Sequence, residues 1–113
     1  MKVTQSALLS PGQTEEARRV GSALARLRLA RGVKQEQAAL RAGVSRNTAY
    51  RLEKGDPGIA MGQILRYLEA IVPGKTLLEL LSETDPALAA LSAKERRRRA
   101  RDLSKGELDE IDF

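Results

Sequence analysis

The chain has neither a cysteine nor a histidine among its 113 residues. Without cysteine there are no disulfides and no thiolate metal sites. Without histidine the usual general base, the usual triad partner and imidazole metal ligation are all missing. Carboxylates and lysines remain, so catalysis has lost its commonest parts rather than every part. Aromatic residues are scarce too: two tyrosines, one phenylalanine and no tryptophan. β-Branched residues are sparse, and no four-residue alternation of apolar and polar positions marks a strand. No apolar run approaches the ~20 residues that a membrane-spanning helix needs. The opening stretch MKVTQSALLSPG is too polar and too short for a secretory signal. The expectation is a cytoplasmic protein without a membrane partner.

What the chain does have is positive charge in two places. Its formal net charge is +5. Residues 14–58 carry ten basic against five acidic side chains, whereas residues 59–93 carry two against four. Residues 94–101, KERRRRAR, hold six cations and one acid, and residues 102–113 then swing to five acids and one cation. Both basic regions are suited to meeting phosphate. Any one charge run is also readable as a solvated face, and for residues 94–101 taken alone the two readings weigh the same.

Apolar residues recur at three and four, the helical period. A first helix is expected from Thr14, capped by its hydroxyl with Glu15 and Glu16 in the first turn, and ended by Gly32. Ser10-Pro11-Gly12 before it reads as a turn, and Val20, Leu24 and Leu27 form the inward stripe. A second helix spans about Gln35 to Ala42 with Ala38 and Ala39 inward, and a third spans about Arg46 to Lys54. A fourth runs from about Met61 to Ile71, burying Ile64, Leu65, Leu68 and Ile71. A fifth, about Thr76 to Leu81, is apolar on more than one side and so wants two neighbours, which a dimer supplies. The organisation is an N-terminal arm (1–13), an all-α five-helix domain (14–81) and a charged C-terminal tail (82–113), disordered when the protein is alone. In that tail Leu103, Leu108, Ile111 and Phe113 form an amphipathic turn suited to a partner.

The informative spacing lies between Gln35 and Gly55. A helix of about eight residues, a glycine, a tight turn and a second helix of about nine make a helix-turn-helix. Gly43 lets the chain turn, Val44 plugs the gap between the helices, and Ser45 caps the second of them. That helix is short enough for a major groove about 12 Å wide. Arg46, Asn47 and Thr48 occupy its first turn, the part that meets base edges in this motif, with Tyr50 and Arg51 one turn on and Ala49 and Leu52 inward. Arginine pairs bidentately with guanine, and asparagine with adenine.

Leu27-Arg28, Gln35, Ala39, Ala42-Gly43-Val44-Ser45 and Leu52-Glu53-Lys54-Gly55 together resemble the Xre family, the Cro and phage-repressor type of five-helix DNA-binding domain, over about residues 18–81. The resemblance implies a homodimer on a two-fold duplex operator. It implies a phosphate contact from Gln35 at a helix N-terminus, and DNA contacts from Ser45, Arg46, Asn47, Thr48, Tyr50 and Arg51. It also implies a partly buried ion pair between Arg28 and Glu53. Three departures stand out. Lys34 replaces the usual polar cap of the second helix, leaving that cap weak or giving Lys34 a phosphate to hold. Ala60-Met61 replaces the cap of the fourth. Gln37 replaces a common apolar residue.

The segment LAALSAKERRRRARDLSKGELD is similar to the end of HipB-like antitoxins, which repress their own operon and bind a kinase-type toxin. The alternative is a phage-type or stand-alone regulator without a toxin partner. For the arginine run three readings stay open: DNA backbone, an acidic groove on a partner, or solubility alone. Acidic groups such as Glu15-Glu16 and Asp109-Glu110-Asp112 have no positioned partner, and no phosphate loop, nucleophile elbow or metal spacing accompanies them. The reading is of a non-enzyme without cofactor or metal.

Overall fold

The computed structural model describes residues 4–82 and 86–111, with side chains at 4–82 and 86–102. Among these the fold is all-α, with seven helices: α1 (Gln5–Leu8), α2 (Pro11–Ala30), α3 (Gln35–Ala42), α4 (Arg46–Glu53), α5 (Met61–Ile71), α6 (Leu77–Leu81) and α7 (Pro86–Ile111). The five expected helices are α2 to α6. Leu103, Leu108, Ile111 and Phe113, expected to serve a partner, and the acids Asp109, Glu110 and Asp112 lie outside the described side chains.

Helix starts show how local chemistry sets the boundaries. α2 begins three residues before the expected Thr14. The Ser10 hydroxyl accepts from Gln13 N–H at 3.2 Å, while Gln13 Oε1 accepts from Ser10 N–H at 3.0 Å. This reciprocal capping box, with Pro11 at the first helical position, outcompetes the turn that Ser-Pro-Gly otherwise forms. The same use of glutamine answers two of the departures. Gln37 Oε1 accepts from Lys34 N–H at 3.4 Å, and Gln63 Oε1 accepts from Ala60 N–H at 3.3 Å. Where the capping position lacks an oxygen, a glutamine three residues on reaches back instead. Thr76 caps α6 by accepting from Glu79 N–H at 3.2 Å.

One core joins all the longer helices. It contains Leu24 and Leu27 of α2, Ala38, Ala39 and Ala42 of α3, Ala49 and Leu52 of α4, Tyr67, Leu68 and Ile71 of α5, Leu80 of α6 and Leu88 of α7, with Ile59 from the α4–α5 loop. The alanines of α3 let α4 and α5 pack closely against it. Leu65, expected inside, is 48% exposed, and Tyr67 is buried in its stead. At 100° per residue Ile64, Tyr67, Leu68 and Ile71 share one side of α5, and Leu65 falls about 110° from its centre.

Residues Pro86–Ile111, within the segment expected as a tail, form a single 26-residue helix in the structure. Its residues are mostly strong helix formers, alanine, leucine, lysine, glutamate and arginine, and two anchors hold the helix to α2. Leu88 is buried in the core. Arg26 of α2 donates to Glu95 Oε1 at 2.8 Å and Oε2 at 3.1 Å, and to Ser92 Oγ at 3.2 Å.

Candidate nucleic-acid interface

α3, its turn and α4 form a rigid unit. Gly43 takes a left-handed conformation (φ 69°), which a side chain resists. Gly43 N–H then donates to Leu40 O at 3.2 Å and Val44 N–H to Ala39 O at 3.0 Å, closing α3. Val44 packs half-buried against the core. Ser45 starts α4 at once: its Oγ accepts from Thr48 N–H at 3.0 Å and donates to Thr48 Oγ1 at 2.9 Å.

The back of α4 is fixed by charge and by backbone contact. Glu53, 7% exposed, receives Arg28 Nε at 2.6 Å and Nη2 at 3.0 Å. Arg28 also donates to Val33 O at 2.9 Å, tying the α2–α3 loop into the same group. Tyr67 Oη donates to Glu53 Oε2. The hydrogen bond that Arg28 donates to Glu53 is the main cause raising the Arg28 pKa above its ordinary value. Burial, then Glu53, pushes the Tyr67 hydroxyl well above the ordinary tyrosine value. Helices α2, α4 and α5 thus meet at one carboxylate whose oxygens are both engaged. Beside it, the α2 backbone at Gly21 touches the end of α4. A Cβ at Gly21 would lie 2.5 Å from Gly55 N, 2.7 Å from Leu52 O and 2.8 Å from Glu53 O. A Cβ at Gly55, itself at φ 78°, would lie 2.4 Å from Arg18 Cα.

The outer face of α4 carries the polar side chains. Arg46, Asn47 and Tyr50 are exposed, and Thr48 and Arg51 are half-buried. Two acids outside α4 orient its arginines. Glu36 of α3 accepts from Arg46 Nη2 at 3.2 Å, and Asp56 of the α4–α5 loop accepts from Arg51 Nε at 2.7 Å. Asp56 also accepts from Gly58 N–H at 2.8 Å. Arg51, then the Gly58 N–H, holds the Asp56 carboxyl below its ordinary value. Lys54 Nζ sits 5.5 Å from the centre of the Tyr50 ring, a cation–π distance. On α3, Lys34 is exposed and Gln35 half-buried at the helix start.

All eight residues singled out from sequence for DNA contact therefore lie on α4, its cap or the start of α3. Sequence reasoning missed Glu36, Tyr67 and Gly21, and the contacts that Asp56 and Gly55 make. Tyr67 was within reach of the α5 periodicity, and a glycine in the middle of a helix marks a close approach. Glu36 and Asp56 carry no signal of their own, because their partners are set by the fold.

Two helices joined by a glycine turn, with the second presenting arginine and asparagine outward, define a helix-turn-helix of the DNA-binding type. Residues 19–80 match the family model of the helix-turn-helix domain, and the chain belongs to that family. No curated protein and no solved structure matches it. Among the described residues no helix is long and apolar enough to cross a membrane.

Proposed function

We propose that this protein is a sequence-specific repressor that binds an operator in duplex DNA as a homodimer. The observation that carries the reading is α4 itself. Its inner face is locked by Ser45, Glu53 and the Gly21–Gly55 contact, and its outer face offers Arg46 bonded to Glu36, Arg51 bonded to Asp56, and an exposed Asn47. A recognition element needs such rigidity, because base readout depends on fixed donor positions. Lys34 and Gln35 add cationic and helix-terminal groups for the phosphates that set register.

The apolar surface left on α5 and α6 supports dimerisation. Met61 (60% exposed) and Leu65 of α5, and Leu78 (79%) and Leu81 (53%) of α6, face solvent. An open apolar groove runs past Val20, Leu24, Met61, Ile64 and Leu77 with a volume of about 240 Å³. Large exposed apolar side chains beside an apolar groove are the chemistry of an interaction surface.

The particular form we infer is an autorepressor and antitoxin of the HipB-like kind, with a kinase-type toxin as its partner. The arginine-rich segment that follows the fifth helix of the domain supports it. The protein acts in the cytoplasm, at the nucleoid when bound, and is not an enzyme. Selection of binding sites from a random duplex pool tests the repressor reading. A two-fold symmetric site with half-sites about 10 bp apart, or a multiple of that, is the expected result. Recovery of no common sequence would overturn it.

A further inference from the structure

α7 is charged on a defined side. At 100° per residue Leu88, Ser92 and Glu95 share the side that meets α2. Leu88 is buried, and Ser92 and Glu95 accept from Arg26. Lys94, Arg97, Arg98 and Arg101 follow the spacing i, i+3, i+4, i+7 and share a different side, roughly 130° away. All four are exposed, and among the described residues none forms an ion pair. Lys94, Arg98 and Arg101 line one open depression with Asp102. The stripe spans about 10 Å of helix.

Its place relative to α4 matters. α2 meets α4 at Gly21 and Arg28. Arg26, which holds α7, lies about 150° round the α2 axis from those two. α7 is therefore across α2 from α4, and its cationic side faces away from α2 as well. The outer face of α4 and the cationic side of α7 are thus separated by α2 within a protomer.

The composition of the stripe indicates the ligand. It contains no apolar or aromatic side chain, the kind that anchors a protein interface. It consists of one lysine and three arginines, and guanidinium pairs bidentately with phosphate. We propose that this side of α7 is a second, sequence-independent surface for duplex DNA, which grips the phosphates of a segment other than the one α4 reads, so that the protein bridges two DNA segments. The word "second" rests on the reading of α4 given above.

A bead assay tests it. A biotinylated duplex carrying the selected site is immobilised, saturated with the full-length protein, and offered a fluorescent duplex of unrelated sequence at low salt. Wild-type protein is expected to retain the fluorescent duplex, with retention falling by about 0.9 log unit per log unit of salt for each phosphate held. The variant K94A/R97A/R98A/R101A is expected to stay on the immobilised site but to lose retention about tenfold or more. R97K/R98K/R101K, which keeps the charge, should keep most of it. Circular dichroism confirms that α7 remains helical. Full retention by the quadruple variant would overturn the proposal, because two α4 surfaces of a dimer would then be doing the bridging. Binding of fluorescent polyglutamate by wild type without retention of the second duplex would overturn it too, assigning the stripe to an acidic polypeptide. A failure of α4 reads differently: R46A/N47A protein would lose its preference for the selected site over the unrelated duplex yet still bind both through α7.

Discussion

Replacing Gly21 by alanine puts the packing of α2 against α4 to a sharp test. In an ordinary helix interior this change stabilises by about 1 kcal/mol. At Gly21 the added carbon would meet Gly55 N at 2.5 Å, where ordinary contact begins at 3.4 Å. The helices must therefore separate by about 0.9 Å. All three nearest atoms are backbone, so no flexible side chain yields. Overpacking of this kind costs about 1–3 kcal/mol, and the separation also lengthens the nearby Arg28–Glu53 bonds, now 2.6 and 3.0 Å. Net of the helix-propensity gain the overpacking leaves a loss of up to about 2 kcal/mol, and the stretched Arg28–Glu53 bonds add about 1 kcal/mol to it. For a domain of this size that lowers Tm by roughly 4–8 °C for each kcal/mol lost. Gly62→Ala is the internal control, since nothing lies within 4 Å of its added carbon. It should hold or raise stability by up to about 1 kcal/mol. Urea unfolding followed by circular dichroism reads both. A Gly21→Ala protein as stable as wild type would refute the account of how α4 is held.

Further predictions rest on the same contacts. Glu53→Gln leaves the Arg28 guanidinium, 13% exposed, without its counter-charge, and should cost about 3–5 kcal/mol in urea unfolding. Tyr67→Phe removes one hydrogen bond to that carboxylate and should cost about 1–3 kcal/mol with little change in core packing. The depressed Asp56 pKa means that its contribution is complete above the ordinary aspartate value and is lost as pH falls through the lower, folded-state value. Wild-type stability should therefore fall more steeply than that of Asp56→Asn over this acidic window, and parallel curves would contradict the Arg51–Asp56 bond. Ser45→Ala should destabilise by about 1 kcal/mol through loss of the α4 cap, measured the same way.

Much of this fold was legible in the sequence, for physical reasons that differ by element. α3 and α5 came out at the expected residues, because periodicity and a glycine or proline stop agreed at their ends. The start of α2 was misplaced because Ser-Pro-Gly serves a turn and a helix cap equally well, and Gln13 decides between them through a bond formed only on folding. α7 rests on good helix formers and a few anchors, here Leu88 and Arg26, which the charge pattern alone does not reveal. The positions on the outer face of α4 follow from spacing alone. Their orientation does not. Glu36 and Asp56 reach Arg46 and Arg51 from other elements, at separations no local pattern encodes.

The central claim is that the outer face of α4 reads DNA sequence. A gel-shift titration with the DNA immediately upstream of the protein's own gene, against unrelated DNA, tests it most directly, with the Arg46→Ala/Asn47→Ala variant alongside. The account predicts tight binding to the upstream fragment and weak binding to the unrelated one. In the variant the preference should vanish while folding is unchanged, since Arg46 and Asn47 are exposed and outside the core. Equal binding of the wild type to both DNAs, or a preference that survives in the variant, would contradict it.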